Sequence, residues 1–136
     1  MSKVLTIKEP FASLIAEEIK HVETRSWRTS YRGEIYIHAG KAKVNLKDKR
    51  INNLISLLNN QEMKYGQIIV KANLIDCVPM TSEYIEKIKK NNNEYISGHY
   101  EEGRYGWVLD NIEILAKPIP INGQLGIWNY SIEKGK

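Results

Sequence analysis

Cysteine is almost missing from this chain. Cys77 is the one thiol in 136 residues, so no disulfide can form within it, and a reducing, cytoplasmic setting is expected. Histidine is scarce as well. His21, His38 and His99 lie far apart and none stands beside Cys77, so the short spacing that a structural zinc needs does not occur. Glycine-rich phosphate loops are lacking: neither G-x-x-x-x-G-K-[ST] nor G-x-G-x-x-G is present, and triphosphates and dinucleotides are not indicated. There is no nucleophile elbow. No apolar run is long enough to span a bilayer, and the N-terminus runs straight into the strand-like Lys3-Val4-Leu5-Thr6-Ile7 rather than a leader. No metal, cofactor or membrane partner is expected from these features, and nothing in them fixes an oligomeric state.

What is present suits one globular domain over residues 1–136, with 42% hydrophobic and 26% charged residues. The net charge of +4 and isoelectric point near 9.1 permit an anionic partner such as RNA without demonstrating one.

The densest chemistry lies in Lys20-His21-Val22-Glu23-Thr24-Arg25-Ser26-Trp27. Val22 and Thr24 favour a strand, which turns Glu23, Arg25 and Trp27 to one face and Val22 and Thr24 to the other. Lys20 joins the first face only if the strand starts after it and a helix or turn delivers its side chain. A surface strand with an ordinary Glu–Arg pair is the plainer reading of the same residues.

Around this stretch the chain alternates strands and short helices. Pro10 suits the first position of a helix, with Phe11, Leu14, Ile15 and Ile19 on one face. Residues 26–32 read as a loop. Gly33 to Gly40 reads as a strand with Ile35 and Ile37 on one side and Tyr36 and His38 on the other; a single histidine there is more often structural than functional. The basic run from Lys41 to Arg50 reads as a solvated helix face, with phosphate tracking as the alternative, and the helix is expected to end near Asn59 or Asn60. Gln67 to Val78 is the longest strand, with Ile68, Val70, Ala72, Leu74, Asp76 and Val78 on one face. An aspartate on that face needs water or a cation. Thr81 or Ser82 caps a third helix, residues 89–93 form a polar stop, and residues 98–106 form a loop. Strands follow at Tyr105 to Leu115 and Ile127 to Tyr130, and their tryptophans, Trp107 and Trp128, suit a core. Several strands with short helices between them suggest a small mixed α+β barrel.

The segments Leu5-Thr6-Ile7-Lys8-Glu9-Pro10-Phe11-Ala12, Lys20-x-x-Glu23-x-Arg25-Ser26-Trp27, Tyr31-Arg32-Gly33 and Ile37-His38-Ala39-Gly40 resemble the ASCH domain, a family of the PUA-like superfamily. Gly66 to Val70, Tyr105 to Leu109, Pro118-Ile119-Pro120 and Gly123 to Trp128 look like the rest of it, in the same order. The resemblance implies a small PUA-like β-barrel flanked by short helices, a cleft beside the G-x-K-x-x-E-x-R motif, and a role near RNA. Glu18 stands where the family has the motif's glycine.

The leading expectation is a binding module for RNA or a modified, nucleoside-like ligand. Its contacts would come from Lys20, Glu23, Arg25, Trp27, Tyr31, His38 and Trp107: the cations on phosphate or carbonyl oxygens, Glu23 on an exocyclic amine, the rings on a base. The alternative is a hydrolase. Some family members remove acyl groups from acylated cytidine with a K-x-x-T-x-R motif whose threonine is the nucleophile. Here Glu23 holds that position and the adjacent Thr24 points the other way in a strand. An enzyme would then use Glu23 as a general base on water, Lys20 or Arg25 on the oxyanion, and Asp76 as a second carboxylate. A third reading is a partner-binding adaptor whose cleft holds a peptide or a cofactor-like molecule.

Overall fold

The computed structural model of the chain describes residues 1–132. Along it run β1 (Ser2–Ile7), α1 (Phe11–Ala16), β2 (Val22–Arg25), β3 (Gly33–Ala39) and α2 (Lys49–Ser56). Then come β4 (Gln67–Pro79), α3 (Ser82–Lys89), α4 (Asn92–Ile96), β5 (Tyr105–Pro120) and β6 (Ile127–Tyr130). The strands form one sheet in the order β2-β5-β4-β3-β1-β6, antiparallel except where β1 meets β3.

The mixed α+β class is as expected. The ladders, however, describe an open order, with β2 and β6 at its ends and no pairing between those two among the described residues. The sheet is strongly curled all the same. Arg25 on β2 donates from Nη2 to the Thr6 carbonyl of β1 at 2.8 Å, so one end of the order comes round to touch its fifth strand.

Period-two alternation sorts the side chains as expected in β3. Ile35 and Ile37 join Leu5, Ile7, Ile15, Val70, Leu74, Trp107 and Leu109 in the main core. Tyr36 packs on the opposite face with Val4, Ile68 and Trp128. Trp107 and Trp128 are both buried.

Four details depart from the sequence reading. Register shifts interrupt β4, so Ile68 leaves the face of Val70 and Ala72, and beyond Leu74 it is Cys77, not Asp76, that turns inward. Asp76 is exposed, 3.8 Å from Arg32. α2 is shorter than expected: it starts at Lys49 behind the cap Asp48 and stops at Ser56, leaving residues 41–48 irregular. Pro10 precedes the first helical residue rather than being it. A fourth helix, α4, occupies part of the expected polar stop.

Candidate functional site

The end of α1 explains how Lys20 reaches the site. Glu18 N donates to Ile15 O at 3.0 Å and Ile19 N to Leu14 O at 2.9 Å, the two bonds of a Schellman motif. Glu18 takes the left-handed conformation that such a turn requires, with φ 58°. Ile19 packs beside Leu14, which seals the turn. The chain leaves with Lys20 directed inward, and β2 begins only at Val22.

Lys20 is fully buried. Its Nζ donates to Ser97 O at 2.6 Å, lies 3.8 Å from Glu23 Oε1 and stands 5.8 Å from the centre of the Phe11 ring. Burial lowers its pKa below the ordinary 10.5, and the carboxylates of Glu23 and Glu94 pull the other way. On β2, Glu23 and Arg25 share a face, and Arg25 Nε donates to Glu23 Oε2 at 3.0 Å. Glu23 thus lies between two cations.

The strand is fixed from the other side by a residue that the sequence reading passed over. Glu94, in the first turn of α4, is buried and accepts from the backbone N–H groups of His21 and Val22 at 3.0–3.1 Å. Its Oε1 lies 3.0 Å from His21 Nδ1. The Asn91 side chain caps α4 by accepting from Glu94 N, so the visible signal was the spacing Asn91-x-x-Glu94. After α4, the 96–99 segment offers its carbonyls to cations. Arg50 donates to Ile96 O and Gly98 O, and Arg104 donates to His99 O and to Thr24 O of β2. Gly98 makes the close approach possible: a Cβ there would sit 2.6 Å from Tyr100 Cε2 and 2.9 Å from Thr24 Cγ2.

These parts enclose a cleft of about 400 Å³. Lys20, Glu23, Arg25 and Trp27 all line it, together with Lys8, Arg50 and Arg104. Trp27 is 39% exposed at the rim, edge-on to Trp107 with ring centres 4.6 Å apart. Trp107 is wholly buried behind it and donates from Nε1 to Trp27 O. The other expected residues do not line this cleft. Tyr31 gives its hydroxyl to Glu34 O and borders a different hollow with Met1 and Lys3. His38 is buried on the second face of the sheet, 3.2 Å from Thr6 Oγ1 and 2.7 Å from Ile121 O, edge-on to Trp128. Asp76 points to solvent beyond the β4 irregularity. Thr24 turns away from Glu23 and accepts from His99 N at 3.0 Å. Among the described residues no group of three or more His, Cys, Asp or Glu side chains comes together to hold a metal.

The model of the family described as the ASCH domain matches residues 5–118. The chain belongs to the ASCH domain family. That family is associated with RNA binding. Among curated proteins the chain is similar to Activating signal cointegrator 1 of Homo sapiens and of Mus musculus. Each is 26% identical over 125 residues, which cover 91% of this chain but 21% of the relative. The chain therefore spans about a fifth of the length of the curated relatives it matches.

Within this ASCH domain the K-x-x-E-x-R motif forms one wall of the cleft and distant segments form the other. Arg50 comes from α2, at the end of the basic run read as a solvated face, and Arg104 from the loop before β5. No spacing in the sequence links either of them to Lys20. Their convergence arises from the fold. The rest of the basic run is exposed, and none of Lys41, Lys43, Lys47 or Lys49 lines the cleft. No helix among the described residues is long and apolar enough to cross a membrane.

Proposed function

We propose that this ASCH domain is a binding module that holds single-stranded RNA, or a nucleoside-like unit of it, in the cleft beside Lys20, Glu23 and Arg25. The observation that carries this reading is the partnering of the cations. Lys20, Arg25, Arg50 and Arg104 all spend hydrogen bonds on backbone carbonyls, which orient them without cancelling their charge. Among the cleft-lining residues, five cations face a single carboxylate, Glu23. Such a cleft attracts phosphate, and a half-exposed indole at its rim offers a surface for a base. Glu23, held between Lys20 and Arg25, is placed to accept from an exocyclic amine.

The test is a titration with short single-stranded RNA, followed by tryptophan fluorescence through Trp27. Arg25→Ala is a poor probe, because Arg25 also joins β2 to β1. Lys8 reaches the cleft without that duty, and Arg104 bonds only the His99 carbonyl and, at 3.4 Å, the Thr24 carbonyl of the edge strand β2. The Lys8→Ala/Arg104→Ala double variant should bind about ten-fold more weakly, or about 1.4 kcal/mol, with its fold intact by circular dichroism. Unchanged affinity in a folded double variant would remove the cleft from the account.

The same reading takes residues 1–136 as a single domain and the curled sheet as the PUA-like barrel of its superfamily. The Arg25–Thr6 bond supports the barrel reading, since it brings β2 round to β1, the neighbour of the far edge strand β6. The buried, free thiol of Cys77 fits a reducing, cytoplasmic setting.

A second reading, hydrolysis of an acylated cytidine, draws on one observation: Lys20, with its pKa lowered by burial, stands 3.8 Å from Glu23 in the same cleft. Glu23 would take a proton from water as the hydroxide adds to the acyl carbon, and would return it to N4 as the C–N bond breaks, releasing cytidine and a carboxylic acid that ionises in water. Deacylation of N4-acetylcytidine that is lost in Glu23→Gln supports this reading. No turnover by the unmodified chain sinks it.

A further inference from the structure

The segment 96–99 is a partition with a cavity on either side. Behind it lies a groove of about 570 Å³, between α2 and the end of α4. Arg50, Gly98 and His99 line both the groove and the cleft, so the two spaces are contiguous. We propose that the groove receives the neighbouring nucleotide of the same RNA strand, so that the unit recognised is at least a dinucleotide, with Arg50 on the phosphate that links its two halves. The proposal rests on the reading of the cleft as an RNA site.

The two spaces differ in chemistry as a phosphate-linked pair of bases requires. The cleft is rich in charge. The groove is walled by Leu54, Ile96 and Tyr95, with the Asn53 amide at its edge. Tyr95 is backed by Tyr100, their rings 5.8 Å apart and 23° from parallel, which makes a firm aromatic wall. No carboxylate among the described residues lines the groove, and Lys89, ion-paired with Glu86 at 3.0 Å, stands 5.6 Å from the centre of the Tyr95 ring. Arg50 is exposed, and its two carbonyl bonds hold its guanidinium against the partition itself. Each space falls within the range of about 300–1,000 Å³ usual for small-ligand sites, so each is roomy enough for one nucleotide.

The experiment compares the four homodinucleotides with the matching nucleoside 5′-monophosphates, by NMR titration of the full chain. Asn53→Trp fills the groove from an exposed helix position and leaves the core alone. Tyr95→Ala removes the aromatic wall. For at least one base the dinucleotide should bind the unaltered chain about five-fold or more tighter than the mononucleotide, as expected when a second base stacks. Asn53→Trp should abolish that advantage and leave mononucleotide affinity unchanged, with Tyr95→Ala, where it folds, doing the same. Equal affinities for both ligands, or an equal loss of both in Asn53→Trp, would overturn the dinucleotide proposal while the cleft reading stands. Failure of both ligands and of longer RNA to bind the unaltered chain would overturn the two together.

Discussion

Lys20 keeps its ammonium in the interior on one short hydrogen bond and one loose ion pair. Its folded-state pKa lies below the ordinary 10.5. Between those two values the unfolded chain binds more protons than the folded one, so this residue adds stability as pH rises through that window. Below both values the burial cost is fully present. Lys20→Met should lack the gain. Denaturation midpoints measured from pH 8 to 10.5 should therefore move in favour of the unaltered chain as pH rises, and a constant difference would contradict the account. Tyr100 makes a second residue-level case. Its hydroxyl is buried with no partner among the described residues, and burial pushes its pKa up. An unpaired buried hydroxyl costs about 1–3 kcal/mol, so Tyr100→Phe should stabilise the domain by about 1 kcal/mol. A destabilised Tyr100→Phe would show that the hydroxyl is bonded after all.

Among the elements, α1 and its terminal turn decide where the site stands. Glu18 occupies a left-handed position that disfavours a side chain by about 1–2 kcal/mol. Glu18→Gly should raise stability by about 0.5–1 kcal/mol once the entropy of glycine is subtracted, which a urea midpoint would detect. No gain would mean that the Glu18 side chain compensates for the strain. The same element shows what was legible beforehand. The strand parity of Glu23 and Arg25, and the need for a turn to deliver Lys20, could be read from residue types alone. α4 could not be read from periodicity, since five residues give no helical period, and the Asn91-x-x-Glu94 spacing was its one local mark. Asp76 was misplaced because parity counts assume a regular strand, and the irregularity after Leu74 shifts every later side chain.

For the whole molecule, RNA binding through this cleft should depend on salt in a defined way. Two or three phosphate contacts on a single strand predict a slope of log K against log salt of about −1.4 to −2.1. A slope near zero would point to an uncharged ligand. The order of strands and helices was readable because each is a local pattern and the patterns follow one another. Half of the cleft was not. Arg50 and Arg104 are far from the motif in the chain; the β2–β5 ladder, which sets Arg25 opposite Tyr105, brings in Arg104, and the packing of α2 brings in Arg50. The contact between β2 and β1 was equally hidden, because the bond from Arg25 ends on a backbone oxygen that no residue type announces.

That choice of acceptor reaches beyond stability. A carbonyl oxygen is the same whichever residue carries it. The cations of the cleft are anchored to Thr6, Thr24, Ile96, Ser97, Gly98 and His99 through main-chain atoms alone. Side chains that face the cleft from these positions, such as the exposed His99, can be exchanged while the positive framework stays in place. Gly98 is an exception for want of room, and Thr6, Thr24 and Ser97 are others, because their hydroxyls make bonds of their own. If the cleft holds RNA as proposed, the arrangement separates holding an anion from choosing which one, so preference for a base can drift, or be engineered, one exposed position at a time.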